Sequence, residues 1–223
     1  MAAPLAGTRT RYPDRVSMDS RVRGRDAGMS AAVFTIRPAQ PSDIPVLQAL
    51  IERSALGLSA GFYTPEQTAA VTREVFGVDS QLVADGTYYA VEQGAVIVAC
   101  GGWGMRSTAY GGDQSKTAPD RLLDPATEAA KIRAFFVDPA MARRGLGSLL
   151  MRHCAAEAAA AGFRMLELVA TMPGVPLYTA LGFTPAETFD LMLGGGRIPV
   201  PLTRMQRVAV VPEIFQKNKT NMT

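Results

Sequence analysis

The chain has 223 residues, enough for one domain with tails, and its 48% apolar and 19% charged residues suffice to build a core. A net charge of +3 is too weak to mark the whole body as a nucleic-acid binder, and no run of eighteen apolar residues is present to span a membrane. Two cysteines, Cys100 and Cys154, and one histidine, His153, have neither the number nor the spacing of a metal site, so a metal-free cytoplasmic protein with buried thiols is expected.

Residues 1–28 set Arg9, Arg11, Arg15, Arg21, Arg23 and Arg25 against Asp14, Asp19 and Asp26, with almost no large apolar side chains. Three readings compete: a nucleic-acid arm, a transit peptide, and a disordered or non-native extension ahead of Met29. The aspartates count against the transit peptide, and the lack of core-forming residues favours the extension. The expected division is therefore an extension over 1–32, a domain over 33–210 and a tail over 211–223.

Within the domain, residues 33–37 predict a strand, followed by a helix capped at Ser42 whose Ile44, Leu47, Leu50 and Ile51 recur at helical spacing. Thr64-Pro65-Glu66-Gln67 is a capping box with proline at the first helical position, and it predicts a second helix to about Phe76. Residues 87–92 and 95–103 read as a strand pair turning at Gln93-Gly94. The stretch 104–127 shows little periodicity, and loops of that length in a compact domain commonly carry function. A strand over 131–137, a helix from about Gly145 to Ala161 stopped by Gly162, and a strand over 165–171 follow. A short helix over 175–181 and a hairpin, 189–193 with 198–205 across Gly194-Gly195-Gly196, complete the domain. This order gives an α/β fold with a mixed sheet and helices on both faces.

The segment FFVDPAMARRGLGSLL, 135–150, carries the clearest chemistry. A strand ends at Asp138-Pro139 and feeds a helix through Arg143, Arg144, Gly145, Leu146, Gly147 and Ser148. Free N–H groups at a helix start, two arginines and glycines that admit a ligand close to the backbone suit an anion such as a pyrophosphate. A bulky residue at Gly147 is expected to block that approach. A plain strand-to-helix turn with solvated arginines fits the same residues equally well.

Residues 131–183 resemble the core of the GNAT superfamily of N-acetyltransferases. The resemblance rests on the strand ending Val137-Asp138-Pro139, the loop ARRGLG with its helix, LEL on the next strand and PLYTALGF at 176–183. The opening FTIRPAQPSDIP at 34–45 and the element order extend it over most of the chain. Two positions depart from the family pattern: Ala142 replaces its first Gln or Arg, and Thr171-Met172-Pro173-Gly174 stands where an Asn is often found.

The resemblance implies a mostly antiparallel central sheet whose fourth and fifth strands splay apart. It implies acetyl-CoA as co-substrate, held by the backbone of Phe135, Phe136 and Val137 and by the 143–148 loop. Tyr178 matches the family's general acid. For the base three options stay open: Glu167, Glu128 or a chain of waters. His153, four residues before Glu157, is expected to pair with it on the helix surface. Phe62, Tyr63, Trp103 and the 104–127 loop are the expected acceptor-side residues. The implied activity is acetyl transfer to a primary amine of a small molecule or peptide by direct attack in a ternary complex, without metal, nucleic acid or membrane, and with a homodimer left open. The alternative is a catalytically weak CoA-binding sensor or regulatory domain of the same fold.

Overall fold

The computed structural model describes residues 33–116 and 120–209; the expectations for the N-terminal extension and the C-terminal tail lie outside the described residues. Seven strands form one sheet: β1 (Phe34–Pro38), β2 (Tyr88–Gln93), β3 (Val96–Gly104), β4 (Ala129–Val137), β5 (Met165–Thr171), β6 (Thr184–Leu193) and β7 (Ile198–Val208). Their spatial order is β1-β2-β3-β4-β5-β7-β6, and only β4 and β5 run parallel. Five helices cover the sheet: α1 (Ile44–Leu58), α2 (Pro65–Glu74), α3 (Ser80–Ala84), α4 (Leu146–Ala160) and α5 (Val175–Ala180). Among the described residues no helix is long and apolar enough to cross a membrane.

Alternation along the strands sends successive side chains to opposite helical layers. On β2, Tyr88 and Ala90 join Leu47, Leu50 and Ile51 of α1 and Leu82 of α3. Tyr89 and Val91 point the other way, to Leu146, Leu150 and Cys154 of α4. A third cluster joins Ala70 and Val71 of α2 to Val200 and Leu202 of β7.

The helix starts follow local chemistry. The capping box at Thr64 forms: its hydroxyl accepts from Gln67 N–H at 3.1 Å, and Gln67 Oε1 accepts from Thr64 N–H at 3.0 Å. Ser42 does not cap α1, contrary to expectation. It lies in a 3-10 turn over Pro41–Asp43, where the Asp43 carboxylate accepts from Gln40 N–H at 2.7 Å and pairs with Arg37 at 2.6 Å. The aspartate thus closes the 3-10 turn, and α1 starts after it without a side-chain cap. Sequence periodicity does not reveal α3, whose five residues are too few to show a repeat; Asp79 caps it by accepting from Gln81 N–H at 3.0 Å.

Two irregularities shape the middle of the sheet. On β4, Arg133 pairs with Gly102 and Phe136 with Cys100, so Ala134 and Phe135 together face one residue, Gly101. Ala134 takes up the extra length with a left-handed φ of 55°. Before this bulge Ala130 and Ile132 face the α4 layer; after it Phe135 and Val137 do, while Ala134 and Phe136 face α1. The Phe135 ring lies over Gly101, where a Cβ would sit 2.3 Å from Phe135 Cδ1. The second irregularity is a parting of strands. β4 and β5 pair only over Ala129–Lys131 and Met165–Glu167, then diverge.

Candidate active site

The divergence of β4 and β5 opens a cleft of about 100 Å³. Its inner walls are Ile132 to Phe136 on β4, Leu168, Val169 and Thr171 on β5, and Tyr178 on α5. Val71, Val75 and Phe76 at the end of α2, Ala109 to Gly111 from the loop after β3, and Leu202 of β7 close the outer side. A wider vestibule of about 470 Å³ lies beyond it, sharing Val75 and Tyr110 and bordered by Arg73 and Glu74.

Tyr178 is placed by the short helix after β5, where its backbone N–H donates to Gly174 at 3.2 Å. Its ring packs between Phe135 and Phe183, with centroids 6.5 and 5.9 Å away. Burial pushes the phenol well above its ordinary pKa of 10, so the hydroxyl holds its proton at neutral pH.

The other end of β4 leads to the anion loop. Asp138 accepts from Ala140 N–H at 3.0 Å and pairs with Arg53 of α1 at 3.3 Å, which fixes the exit from the strand. Arg143 and Gly145 then take left-handed φ values of 64° and 82° and turn the chain into α4. Arg143, Arg144 and Gly145 are exposed, and α4 begins without a side-chain cap or an acidic residue in its first turn. The first intrahelical bond runs from Leu149 N–H to Gly145 at 2.9 Å, so the N–H groups of Leu146, Gly147 and Ser148 precede the helical ladder. The arrangement suits a polyanion. Gly147 serves differently from expectation: it is buried, and a Cβ there would meet Leu177 Cδ2 of α5 at 2.8 Å. Gly145, with open space around it, is the glycine that leaves room for a ligand. Of the backbone expected to hold the co-substrate, Val137 N–H already donates to Ser54 Oγ of α1 at 3.2 Å.

The expected acid–base and acceptor residues divide. Glu167 does not line the cleft. It accepts from Lys131 Nζ at 2.7 Å, Arg204 at 3.2 Å and Gln206 at 2.7 Å. Burial alone would raise its pKa, but these hydrogen bonds and cations outweigh it and hold the carboxylate below its ordinary range, a poor setting for a base. Glu128 pairs with Arg121 at 2.6 Å before β4, and that bond pulls its pKa down to about 2. His153 does not project into solvent beside Glu157 as expected. Its ring meets Tyr89 edge-on at 4.3 Å.

Trp103 is 3% exposed and packs against Phe163 on the α4 side of the sheet, so its place is in the core and not beside an acceptor. Tyr63 is also structural: its hydroxyl donates to Pro201 O at 2.8 Å and accepts from Met172 N–H at 3.0 Å. Phe62 is 51% exposed and is not on the cleft wall. The aromatics that do reach the cleft are Phe76 and Tyr110, which the sequence reading passed over. Their signal was faint, two aromatics beside glycines at Phe76-Gly77 and Tyr110-Gly111.

The described part of the loop after β3 is held down around Gly111-Gly112. Gly112 N–H donates to Val75 at 2.9 Å and Asp113 N–H to Val78 at 3.1 Å. Beneath it the buried pair Arg133–Asp79, 2.6 Å apart, binds Gly111 O through Arg133 and Lys116 through Asp79.

The acetyltransferase (GNAT) family model matches residues 58–183, more than half of the chain. A search of curated proteins finds no match to the sequence. Among solved structures, a GCN5-related N-acetyltransferase from Rhodopseudomonas palustris superposes with a TM-score of 0.58 at 19% identity, covering 78% of this chain and 94% of that one. PaiA N-acetyltransferase from Thermoplasma acidophilum, in complex with coenzyme A, gives 0.53 at 13% identity over 81% and 99%. YncA from Salmonella typhimurium, a putative acetyltransferase with its cofactor acetyl-CoA, gives 0.53 at 18% identity over 79% and 94%. At these identities the likeness is one of fold.

Proposed function

Because the chain belongs to the GNAT acetyltransferase family, we propose that it moves an acetyl group from acetyl-CoA to the primary amine of a small molecule or peptide by direct attack in a ternary complex. The observation that carries this reading is the cleft between the diverging strands, with Tyr178 on its wall. The uncapped start of α4 with Arg143 and Arg144 lies beyond the end of β4 and fits a pyrophosphate. The relatives of known structure that hold coenzyme A or acetyl-CoA support the choice of co-substrate.

When bound, acetyl-CoA supplies the thioester: a new N–C bond forms at its carbonyl carbon, the C–S bond breaks, and the departing thiolate requires one proton. Tyr178 donates that proton from its hydroxyl. The acceptor nitrogen gives up its own proton to solvent, since the carboxylate of Glu167 is engaged elsewhere. Backbone N–H groups of Leu146, Gly147 and Ser148 hold phosphate oxygens, and the exposed arginines supply counter-charge. Calorimetric titration with acetyl-CoA, followed by thiol release over a panel of amines, tests the reading. Micromolar binding with amine-dependent release is expected. Binding without release by any amine would favour the sensor alternative, and absence of binding would remove both.

A further inference from the structure

Resting on that reading, we propose that the acceptor is a monoamine whose amino group sits on an aromatic or branched apolar body, and that polycationic amines are excluded. The outer wall of the cleft is apolar, with Val71 of α2, Val75 and Phe76 just after it, Tyr110 from the loop and Leu202 of β7, and Val169 of β5 adds to it from the inner wall. The surfaces are fixed. Phe76 meets Phe136 of β4 edge-on at 5.2 Å, and Tyr110 belongs to the segment held by Gly112, Asp113 and the Arg133–Asp79 pair. A flat or branched hydrocarbon gains burial against such walls.

Charge points the same way. Arg133 is the one charged residue on the cleft wall among the described residues, and its guanidinium is taken up by Asp79. The acidic groups around the cleft already have partners. Glu74 at the vestibule pairs with Arg73 at 2.5 Å and accepts from Gly194 N–H at 3.1 Å; Asp79 holds Arg133; Glu167 holds Lys131 and Arg204. A polyamine or aminoglycoside would have to bury its further ammonium groups without a counter-ion. An aromatic face attracts one ammonium on approach but does not neutralise several. The same walls assist the chemistry, because apolar surroundings favour the neutral amine that attacks.

The test measures thiol release from acetyl-CoA with 2-phenylethylamine, spermidine and kanamycin as probes. We expect kcat/KM for 2-phenylethylamine to exceed that for either polycation by at least about tenfold. Tyr110→Ala should raise KM for 2-phenylethylamine severalfold with KM for acetyl-CoA unchanged, and Tyr110→Asp should narrow the preference over spermidine. Equal or better use of spermidine or kanamycin overturns the proposal, as does a folded Tyr110→Ala enzyme with unaltered KM for 2-phenylethylamine. Failure of 2-phenylethylamine to react overturns it as well. Calorimetry with acetyl-CoA then separates the cases: binding confines the failure to the acceptor class, and no binding extends it to acetyl transfer itself.

Discussion

Tyr178→Phe removes one oxygen from a ring whose packing against Phe135 and Phe183 stays in place. Stability and acetyl-CoA affinity should therefore hold, while turnover falls by roughly 10²–10⁴, the range for losing a general acid. Steady-state rates with a confirmed amine, under conditions limited by chemistry, check this; near-wild-type turnover would return the proton donation to water. His153 makes a different prediction, one about stability. Burial lowers its pKa from 6.5 against the opposing pull of Glu157, so the unfolded chain binds its proton more readily. The contribution of this group is complete above the unfolded pKa near 6.5 and is lost as pH falls through the folded value. The melting temperature should drop as pH falls below about 6.5, and His153→Phe should flatten part of that slope. Identical slopes for the two proteins would show that His153 does not titrate on unfolding. Neither residue's setting was equally plain in the sequence. Tyr178 stands inside a family motif, whereas the edge contact of His153 with Tyr89 joins residues far apart in the chain.

At the scale of elements, β4 depends on the glycine opposite its bulge. Gly101→Ala would place a Cβ against the Phe135 ring at 2.3 Å, so the ring must swing aside. Overpacking of this kind costs about 1–3 kcal/mol, and the displaced ring should also raise KM for acetyl-CoA. Chemical denaturation and steady-state kinetics on one preparation measure both. An unchanged KM would mean that the ring relaxes away from the cleft. The strands and long helices were legible because hydrophobic period and capping chemistry mark them, as Thr64-Gln67 and Gly162 illustrate. The bulge was not legible, because KIRAFFV reads as an unbroken strand and its extra residue is defined only by pairing with Gly101. For the same reason Trp103 and Tyr63 were assigned to the acceptor side: an aromatic side chain declares its size in sequence but not which layer it enters. Phe76 and Tyr110 reach the cleft only through contacts between distant segments.

Across the whole molecule, the two main clusters share one sheet, and residues of β2 belong alternately to each. One layer cannot unfold while the other keeps its floor. Unfolding should therefore be a single cooperative step. Trp103, the chain's one tryptophan and 3% exposed beneath α4, gives a built-in reporter of the α4 layer. Its fluorescence transition and the loss of far-UV circular dichroism should coincide in urea. Two separated midpoints would mean that the layers come apart independently. Saturating acetyl-CoA at about 100 times its Kd should add about 2.7 kcal/mol to that stability.

The extra residue in β4 behaves like a dislocation in a crystal row. On either side of Ala134 the strand is regular, but the two halves are out of phase by one residue. Excising Ala134 would heal the defect and leave everything downstream in place: Phe135 would still stand opposite Gly101 and face α4 with Val137, and Phe136 would still pair with Cys100 and face α1. Flattening the bulge with Ala134 retained would do the opposite and turn Phe135 and Val137 toward α1 and Phe136 toward α4, so Ala134 acts on the cleft's inner wall by count and not by the chemistry of its single methyl group. Substitution at this position and deletion of it are therefore different experiments. The first perturbs a φ of 55°, and the second removes the bulge while each downstream side chain keeps its face of the sheet.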